Sequence, residues 1–425
     1  MHTANLMEFL DKSHSVYHAV DAIVQDLEAA GYTCLSESSL WQLQPDGRYY
    51  LTRGGSSVIA FRIPSKTPVG FLMSACHSDR PSFKVKENGE LTGKYTRLAV
   101  ERYGGMLMST WLDRPLSVAG RGVVETADGL ETRLLDVDRD LLLIPSVAIH
   151  MNRKANEGYA WNPTVDTIPL MGGEAAKGKF AATLEEEAGG KLLSHDLYLY
   201  PRQKATLWGL DEEYLSASAL DDLAGVWCCT QGFLQADDSA SIPVLCVFDS
   251  EEVGSCSVQG AASDLLETVL TRICSAIHLD LHQMLAQSFL ISADNAHAIH
   301  PNHPEYADPT NAPVLGGGVV LKFNAAQRYT TDAVSAALFR KVCSVADVPV
   351  QTYYNRADLP GGSTLGNISL AHVSVPTADI GLPQLAMHSC WETIAVKDAH
   401  YLETAMTAYY GMTLTSVSDG NYQFS

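Results

Sequence analysis

The stretch Val69-Gly-Phe-Leu-Met-Ser-Ala-Cys-His-Ser-Asp79 is a nearly continuous apolar run that ends on a histidine and an aspartate. A short apolar run of this kind predicts a strand, here Val69–Cys76, that is buried on both faces of a sheet. In open α/β sheets, ligands bind at the carboxyl ends of the strands. The polar residues after Cys76 therefore mark the edge of the sheet where a functional site is expected.

The sequence on either side alternates between helical and strand patterns. A helix is predicted from Ser15 to about Ala30, because apolar residues recur on one face and Gly31 follows as a stop. Further helices are predicted at Asp222–Leu234, Ala261–Ile277, Thr331–Ala346 (with Thr330 or Thr331 as the cap) and Ala399–Tyr410. Further strands are predicted at Tyr49–Arg53, Ser57–Ile63, Ile242–Phe248, Ser288–Ala293, Val319–Phe323, Val348–Tyr354 and Val373–Asp379. This alternation predicts an α/β fold with a mixed, largely parallel sheet sandwiched by helices.

The segment between Arg80 and Lys204 has a different pattern. It contains short β-like runs separated by turn signals such as Glu87-Asn-Gly89, and no long helical pattern is obvious. We interpret residues 80–207 as a β-rich domain inserted into a split domain, which is formed by residues 1–79 and 208–425.

Composition limits the class of protein and its partners. The chain has 425 residues and a formal net charge of −20, from 49 Asp and Glu against 29 Lys and Arg. This balance disfavours nucleic acids and anionic membranes as partners, and no apolar stretch approaches the roughly 20 residues that span a bilayer. The nine cysteines form no CxxC motif, which indicates free thiols in a reducing compartment. Since the start also lacks the pattern of a signal peptide, we expect a cytoplasmic protein.

Metal-type side chains recur where predicted strands end and where one helix begins. In chain order these candidates are His77, Asp221, the pair Glu251 and Glu252, Asp294 and His388. Two imidazoles and three carboxylates could hold two divalent ions if one carboxylate bridges them, which leaves another carboxylate for proton transfer. Nitrogen and oxygen ligands without thiolates suit zinc, and also cobalt or manganese. Asp79 follows His77 by two residues on extended chain, so it could accept the ring N–H of His77 and fix its tautomer.

Each candidate alone has an ordinary structural explanation. A histidine at a strand end is usually structural, a Glu-Glu pair is usually solvated, and an aspartate before a helix, such as Asp221 or Asp222, is usually an N-cap. His278 and His282 are spaced i and i+4 but lack the glutamate of an HExxH motif, so they are interpreted as structural. The joint arrangement favours a site, because unrelated caps and surface charges have no reason to follow strand ends so regularly.

The chain resembles the aspartyl aminopeptidase family of dinuclear zinc peptidases. The resemblance is carried by blocks that occur in order along almost the whole chain: Cys76-His-Ser-Asp-Arg-Pro-Ser-Phe-Lys-Val-Lys86, Tyr103-Gly-Gly105, Trp111-Leu-Asp-Arg-Pro-Leu-Ser-Val-Ala-Gly-Arg121, Ile144-Pro-Ser-Val-Ala-Ile-His150, Leu220-Asp-Asp-Leu223, Asp249-Ser-Glu-Glu-Val-Gly-Ser255, Ser292-Ala-Asp-Asn-Ala-His-Ala-Ile-His-Pro-Asn302, Leu321-Lys-Phe-Asn324, Gln327-Arg-Tyr329, Pro360-Gly-Gly-Ser-Thr-Leu-Gly366 and Gln384-Leu-Ala-Met-His-Ser389. No single block is decisive, but together they are specific.

The resemblance implies a role for each candidate. Two ligand pairs would bind one zinc ion each and share a bridging ligand: His77 with Asp294, Glu252 with His388, and Asp221 as the bridge. Glu251 would be the general base that later delivers the proton to the leaving amine. Lys322 would bind an acidic side chain of the substrate, whereas the structural alternative is a solvated lysine beside a strand.

The resemblance also implies an assembly. The inserted domain would mediate dimerisation, and dimers would build a closed dodecamer. His150 would reach into the neighbouring subunit's site and stabilise the tetrahedral intermediate there. Its structural alternative is a core histidine at the end of a strand.

We therefore expect a metalloaminopeptidase that removes N-terminal Asp or Glu from peptides. One alternative is a dinuclear zinc aminopeptidase or amide hydrolase of neutral specificity, which would lack a cation in its pocket. A second alternative is a non-catalytic scaffold or receptor on the same fold, which would lack a ligand or the base.

Overall fold

The structure, a computed structural model, describes residues 2–359, 361–362 and 364–425. Its α-helices are α1 (His2–Lys12), α2 (Val16–Ala29), α3 (Lys179–Ala188), α4 (Leu220–Gln235), α5 (Leu265–Ala276), α6 (Leu281–Leu285), α7 (Ala333–Val345), α8 (Leu365–Ser369) and α9 (Val396–Tyr410). Its strands are β1 (Thr33–Cys34), β2 (Arg48–Arg53), β3 (Ser57–Arg62), β4 (Gly70–His77), β5 (Ser82–Leu91), β6 (Tyr95–Tyr103), β7 (Leu116–Thr126), β8 (Gly129–Asp136), β9 (Leu170–Gly173), β10 (Leu192–Pro201), β11 (Thr206–Trp208), β12 (Tyr214–Ala217), β13 (Ser241–Phe248), β14 (Phe289–Ala293), β15 (Ala296–His297), β16 (Val319–Phe323), β17 (Val350–Tyr354), β18 (Thr377–Gly381), β19 (Pro383–Leu385), β20 (Glu392–Ala395), β21 (Leu414–Ser418) and β22 (Asn421–Phe424).

A nine-stranded mixed sheet forms the centre of the molecule, in the order β1-β2-β3-β13-β4-β14-β18-β16-β17. The neighbours β13, β4, β14 and β18 run parallel to one another and are buried along their whole length. A strand that is covered on both faces is mostly apolar on both, which is why β13, β4 and β14 are rich in apolar residues.

Helices cover the two faces of this sheet. One face packs against α1, α2, α4, α7 and α9 in a single apolar cluster. The other face packs against α5, α6 and α8. The mixed α/β sandwich predicted from the sequence is therefore confirmed.

The segment that the sequence marks as β-rich forms a sheet of its own. Six strands in the order β8-β7-β10-β5-β6-β9 pair antiparallel, and they enclose an apolar cluster that includes Phe83 and Trp111. Smaller sheets are formed by β11-β12-β20-β19-β15 and by β21-β22. The division of the chain into two domains at residues 79/80 and 207/208 stays a prediction.

The strand predicted at Val373–Asp379 begins later, as β18 at Thr377. Pro376 lies directly before it and has no backbone N–H to donate to a neighbouring strand. The apolar residues Val373 and Val375 pack instead in the cluster beneath the sheet.

The cap of α7 is also different from the prediction. Asp332, not Thr330 or Thr331, is the N-cap, and its side chain accepts the backbone N–H of Ser335 at 2.8 Å. The two threonines instead donate to, and accept from, the buried Asp379. The sequence pattern placed the helix correctly but could not separate three adjacent residues that all favour N-caps.

Four of the described helices were not predicted: the short helices α6 and α8, and the longer α1 and α3. α1 buries Leu6, Phe9 and Leu10, and α3, in the segment where no long helix was expected, buries Phe180 and Leu184. Both are short and place only a few apolar residues among charged and small ones, so the apolar stripe is present but easily missed. Among the described residues, none of the helices combines the length and the hydropathy that a bilayer-spanning helix requires.

Candidate metal centre

Three parallel strands bring candidate ligands to one edge of the large sheet. In the register of β13 against β4, Phe248 pairs with His77, and β14 pairs parallel to β4 on its other side. The carboxyl ends of the three strands therefore lie side by side, where the chain continues into Glu251, Glu252 and Asp294. This is the edge that the strand pattern predicted.

Two further candidates come from outside these strands. Asp221 lies at the start of α4, where the backbone is not helical and the peptide bond between Asp221 and Asp222 is cis. Asp221 and Asp222 both have non-helical dihedrals, so the regular part of α4 begins after them. The alternative that one of them acts as an N-cap therefore stays a prediction. His388 lies in the turn between β19 and β20, with a positive φ of 64°.

The side chains of four candidates form one compact group. One ligand atom each of His77, Asp221 and Glu252 lies within 4.8 Å of the others. His388 Nε2 is 3.5 Å from Asp221 Oδ2 and 3.5 Å from Glu252 Oε2. His77 Nε2 is 3.8 Å from Asp221 Oδ1. Asp221 thus faces one imidazole with each oxygen, which is the arrangement that a bridging carboxylate needs.

Asp79 connects His77 to the loop that carries the two glutamates. Its carboxylate accepts the backbone N–H groups of Glu251 and Glu252 at 3.0 and 3.1 Å. The ring Nδ1–H of His77 donates to the backbone carbonyl of Asp79 at 3.1 Å, with the Asp79 carboxylate 3.4 Å away. These contacts leave Nε2 of His77 facing Asp221 and fix the tautomer. The sequence predicted the carboxylate as the acceptor, but the carbonyl of the same residue is nearer.

Glu392 orients His388 and Asp221 in the way that Asp79 orients Glu251 and Glu252. It is 1% exposed, and its carboxylate accepts the backbone N–H groups of His388 at 2.7 Å and of Asp221 at 3.0 Å. The sequence analysis missed Glu392. It comes four residues after His388, but nothing in the pattern marks it as buried.

The buried carboxyl groups of this centre repel one another. Burial, reinforced by neighbouring carboxylates, raises the pKa of Glu251 to about 8. Burial and the adjacent Asp221 raise the pKa of Glu252 well above its ordinary value. Burial also raises the pKa of Asp294 to about 6, although Lys322 opposes the shift. The protein's own cations therefore do not balance the charge of this cluster.

Two buried oxygens, Oδ1 of Asp221 and Oε1 of Glu252, have no hydrogen-bond partner in the part of the chain that the structure describes. A buried carboxylate oxygen without a partner is costly, so such atoms point to a missing cation. Imidazole nitrogens and carboxylate oxygens without thiolates are a donor set that zinc accepts. The residues present therefore fit a bound divalent metal.

The candidate ligands line a cavity of about 270 Å³. Its lining residues are His77, Asp221, Glu251, Asp294, Asn295, Ala296, His297, Lys322, Tyr329, Tyr353, Gly362, Thr364, Met387 and His388. Pro360 and Ser363, which belong to the stretch Pro360–Gly366 that carries part of the resemblance, lie outside the described residues. The sequence analysis missed His297, Tyr329 and Tyr353 as lining residues; of these, His297 follows the end of β14, which was an available signal.

Lys322 is a buried cation beside the candidate ligands. It is only 1% exposed, and its Nζ donates to the backbone carbonyls of Asp294 at 2.7 Å and Asn295 at 3.3 Å. It also lies 3.7 Å from the Asp294 carboxylate. The alternative of a solvated lysine is therefore wrong. Among the lining residues that the structure describes, Lys322 is the only lysine or arginine.

His150 lies apart from this cavity. It is exposed, in an irregular segment whose apolar side chains Val147, Ile149 and Met151 are 52%, 48% and 78% exposed. The alternative of a core histidine is therefore wrong. A contribution of His150 to a neighbouring subunit stays a prediction.

His278 and His282 do not line the cavity either.

The chain is similar to known proteins over almost its whole length. A probable M18 family aminopeptidase 2 of Clostridium novyi is 39% identical over 425 residues, covering 96% of this chain and 98% of that protein. The solved structure of Ape4 in complex with Nbr1 is similar at a TM-score of 0.93 and 35% identity, over 96% of this chain and 85% of that one. The mApe1 dodecamer of S. cerevisiae is similar at a TM-score of 0.85 and 26% identity, over 96% and 95% of the two chains.

Most of the chain also matches the model of one protein family. Residues 9–410 match the aminopeptidase I zinc metalloproteases (M18), and this range contains all the candidate ligands, Glu251 and Lys322. The chain therefore belongs to the M18 family of zinc aminopeptidases.

Proposed function

We propose that this zinc aminopeptidase uses two divalent ions to remove N-terminal aspartate or glutamate from peptides. The observation that carries the proposal is the buried ammonium group of Lys322 beside the carboxylate cluster. An ammonium group has three N–H donors, and the carbonyls of Asp294 and Asn295 accept two of them. The third can bind a substrate carboxylate in a buried, charge-assisted hydrogen bond.

The ions would be bound by five side chains, with one ligand shared: His77 and Asp294, Glu252 and His388, and Asp221 between them. When bound, such ions polarise a carbonyl group and lower the pKa of water. Zinc is the proposed metal, and cobalt or manganese would satisfy the same donors. Asp79 contacts two of these residues, His77 and Glu252, and Glu392 contacts two others, Asp221 and His388.

Glu251 is proposed as the general base. The backbone N–H of Glu251 donates to the Asp79 carboxylate, and Glu251 lines the cavity. A carboxylate in this position can take a proton from the attacking water and later give it to the leaving amine.

We also propose that residues 80–207 mediate dimerisation and that dimers assemble into a dodecamer, with His150 reaching the partner's site. Exposed apolar side chains beside His150 support this proposal, as does the dodecameric assembly of the similar mApe1. The nine free cysteines agree with a cytoplasmic location.

The substrate preference is tested by Lys322→Met, which keeps the length of the side chain and removes its charge. We expect kcat/KM on N-terminal Asp and Glu substrates to fall about 100-fold, because a hydrogen bond between charged groups is lost. On N-terminal Leu and Ala substrates the loss should stay below about five-fold. The matched control is Lys341→Met on the exposed face of α7, which should change neither value.

Other outcomes support the alternatives. Equal losses on acidic and neutral substrates would mean that Lys322 does not select the side chain. A native enzyme that prefers neutral substrates would support an aminopeptidase or amide hydrolase of neutral specificity. An enzyme that hydrolyses no substrate after addition of zinc, manganese or cobalt would support a scaffold.

A further inference from the structure

The chain leaves the six-stranded sheet at Tyr103, the last residue of β6, and crosses the candidate metal centre before a short 3₁₀ turn at Met108–Trp111. We call residues 103–107 the crossing segment. None of its residues is a candidate ligand. Nevertheless, it contacts three residues of the centre.

The first contact is made by the side chain of Tyr103. Its hydroxyl donates to Asp79 Oδ2 at 2.7 Å. The same oxygen accepts the backbone N–H of Glu252 at 3.1 Å. Because Asp79 also accepts from Glu251 and lies next to the His77 ring, the Tyr103 hydroxyl fixes a carboxylate that orients three residues of the centre.

The second contact is close backbone packing at Gly104. This residue has a positive φ of 74°, which L side chains rarely adopt. A β-carbon at this position would lie only 3.1 Å from Cβ of Glu252 and 3.3 Å from Cα of Pro81. Only glycine lets the crossing segment lie directly against Glu252.

The third contact holds the loop of His388. The backbone N–H of Leu107 donates to the carbonyl of His388 at 3.0 Å. Two residues later, the backbone N–H of Cys390 donates a hydrogen bond to the hydroxyl of Thr110 at 3.0 Å. The side chain of Cys390 packs in the apolar cluster of the six-stranded sheet. The loop that carries this candidate ligand is therefore attached to that sheet.

We propose that the crossing segment is a positioning element for the metal centre and that Tyr103 is a positioning residue, which acts on the ligands through Asp79. The inference rests on the proposed two-metal function. It assigns to the segment 80–207 a part in catalysis within its own chain. Loss of a partner of a ligand-orienting group typically lowers metal affinity or activity by 10- to 100-fold.

The test is Tyr103→Phe, which removes one hydroxyl and keeps the ring. The matched control is Tyr198→Phe on β10, because Tyr198 packs edge-on against the Tyr103 ring at 5.4 Å and its hydroxyl makes no hydrogen bond within the described residues. For each variant we would measure the zinc dissociation constant by competition with a chromophoric chelator, the absorption spectrum of the cobalt-loaded protein, and kcat and KM.

We expect Tyr103→Phe to weaken zinc binding and to lower kcat by about 10-fold each, with KM within two-fold and a changed cobalt spectrum. Tyr198→Phe should match the native protein in all four measurements. A second variant, Gly104→Ala, should change the cobalt spectrum although it keeps the Tyr103 hydroxyl. If Tyr103→Phe and Tyr198→Phe behave alike while the native protein binds metal and turns over substrate, the inference is wrong and the proposed function stands. If the native protein binds no metal, the proposed function fails first.

Discussion

Two buried carboxylates orient the candidate ligands by binding backbone N–H groups. Asp79 holds the backbone of Glu251 and Glu252, and Glu392 holds that of His388 and Asp221. Each carboxylate thus fixes two residues of the centre at once. Removing a group that orients a metal ligand typically lowers metal affinity or activity by about 10- to 100-fold.

Glu392→Gln is the variant that isolates this effect. Glutamine has the same size, but its NH₂ group cannot accept a backbone N–H, so either His388 or Asp221 loses its partner. We expect the zinc dissociation constant to rise about 10-fold or more, measured by chelator competition. The matched control is Glu403→Gln, a buried glutamate of α9. Zinc affinity within two-fold of the native value would contradict a positioning role of Glu392.

Glu251→Gln separates proton transfer from metal binding. Glutamine cannot take up the proton, so kcat should fall about 10³-fold, within the range for general acid–base catalysis. Metal content, measured by atomic emission after gel filtration, should not change, because Glu251 is not a proposed ligand. Glu267→Gln on the exposed face of α5 serves as the control. A metal-loaded Glu251→Gln variant with native activity would contradict the assignment of Glu251 as the general base.

Candidate site residues could be predicted from the sequence where they directly follow the end of a predicted strand. His77, Glu251, Glu252 and Asp294 could be selected in this way, and the structure brings them to one edge. Glu392 and Tyr103 could not be selected, because a residue that binds backbone or another carboxylate across a long stretch of chain has no local pattern. Their contacts depend on how loops pack, which periodicity does not encode.

Among helices and strands, the parallel group β13, β4 and β14 decides where the ligands meet. These elements were predictable because burial on both faces requires continuous apolar runs. The ends of helices and strands were less predictable where a proline interrupts a strand pattern or where several adjacent polar residues could each be the N-cap of a helix. Pro376 moved the start of β18, and Asp332 replaced the two threonines as the cap of α7.

Asp332→Ala tests the cap of α7. The substitution leaves the backbone N–H of Ser335 without its partner, so the free energy of unfolding should fall by about 1 kcal/mol. Denaturant titrations at fixed protein concentration would measure it, with Asp128→Ala in the turn between β7 and β8 as the control. Because α7 contributes no lining residue to the cavity, kcat and KM should remain native. A variant as stable as the control would contradict the capping contact.

For the chain as a whole, the candidate metal centre brings together segments that are far apart in the sequence, from His77 on β4 to His388 between β19 and β20. Without a cation, burial and then the neighbouring carboxylates disfavour the charged form of Glu251 and raise its pKa. A ligand that binds only the folded state stabilises it by mass action. Metal should therefore act on the stability of the entire molecule as well as on activity.

Chelation is the corresponding experiment. Removal of metal should lower the melting temperature and abolish activity, and addition of zinc, cobalt or manganese should restore both. Glu252→Gln, which lacks one proposed ligand, should show a smaller rise in melting temperature when zinc is added. A native protein whose melting temperature responds neither to chelator nor to zinc would contradict a metal centre at this position.

The order of the ligands along the chain has a consequence for biosynthesis. His77 belongs to an early strand, whereas His388 lies in a turn near the end of the chain. A nascent polypeptide on the ribosome has the first imidazole long before the last one emerges from the exit tunnel. The proposed hydrolytic activity can therefore arise only after the turn that carries His388 has left the ribosome, so a nascent chain that stops before this turn is expected to be inactive.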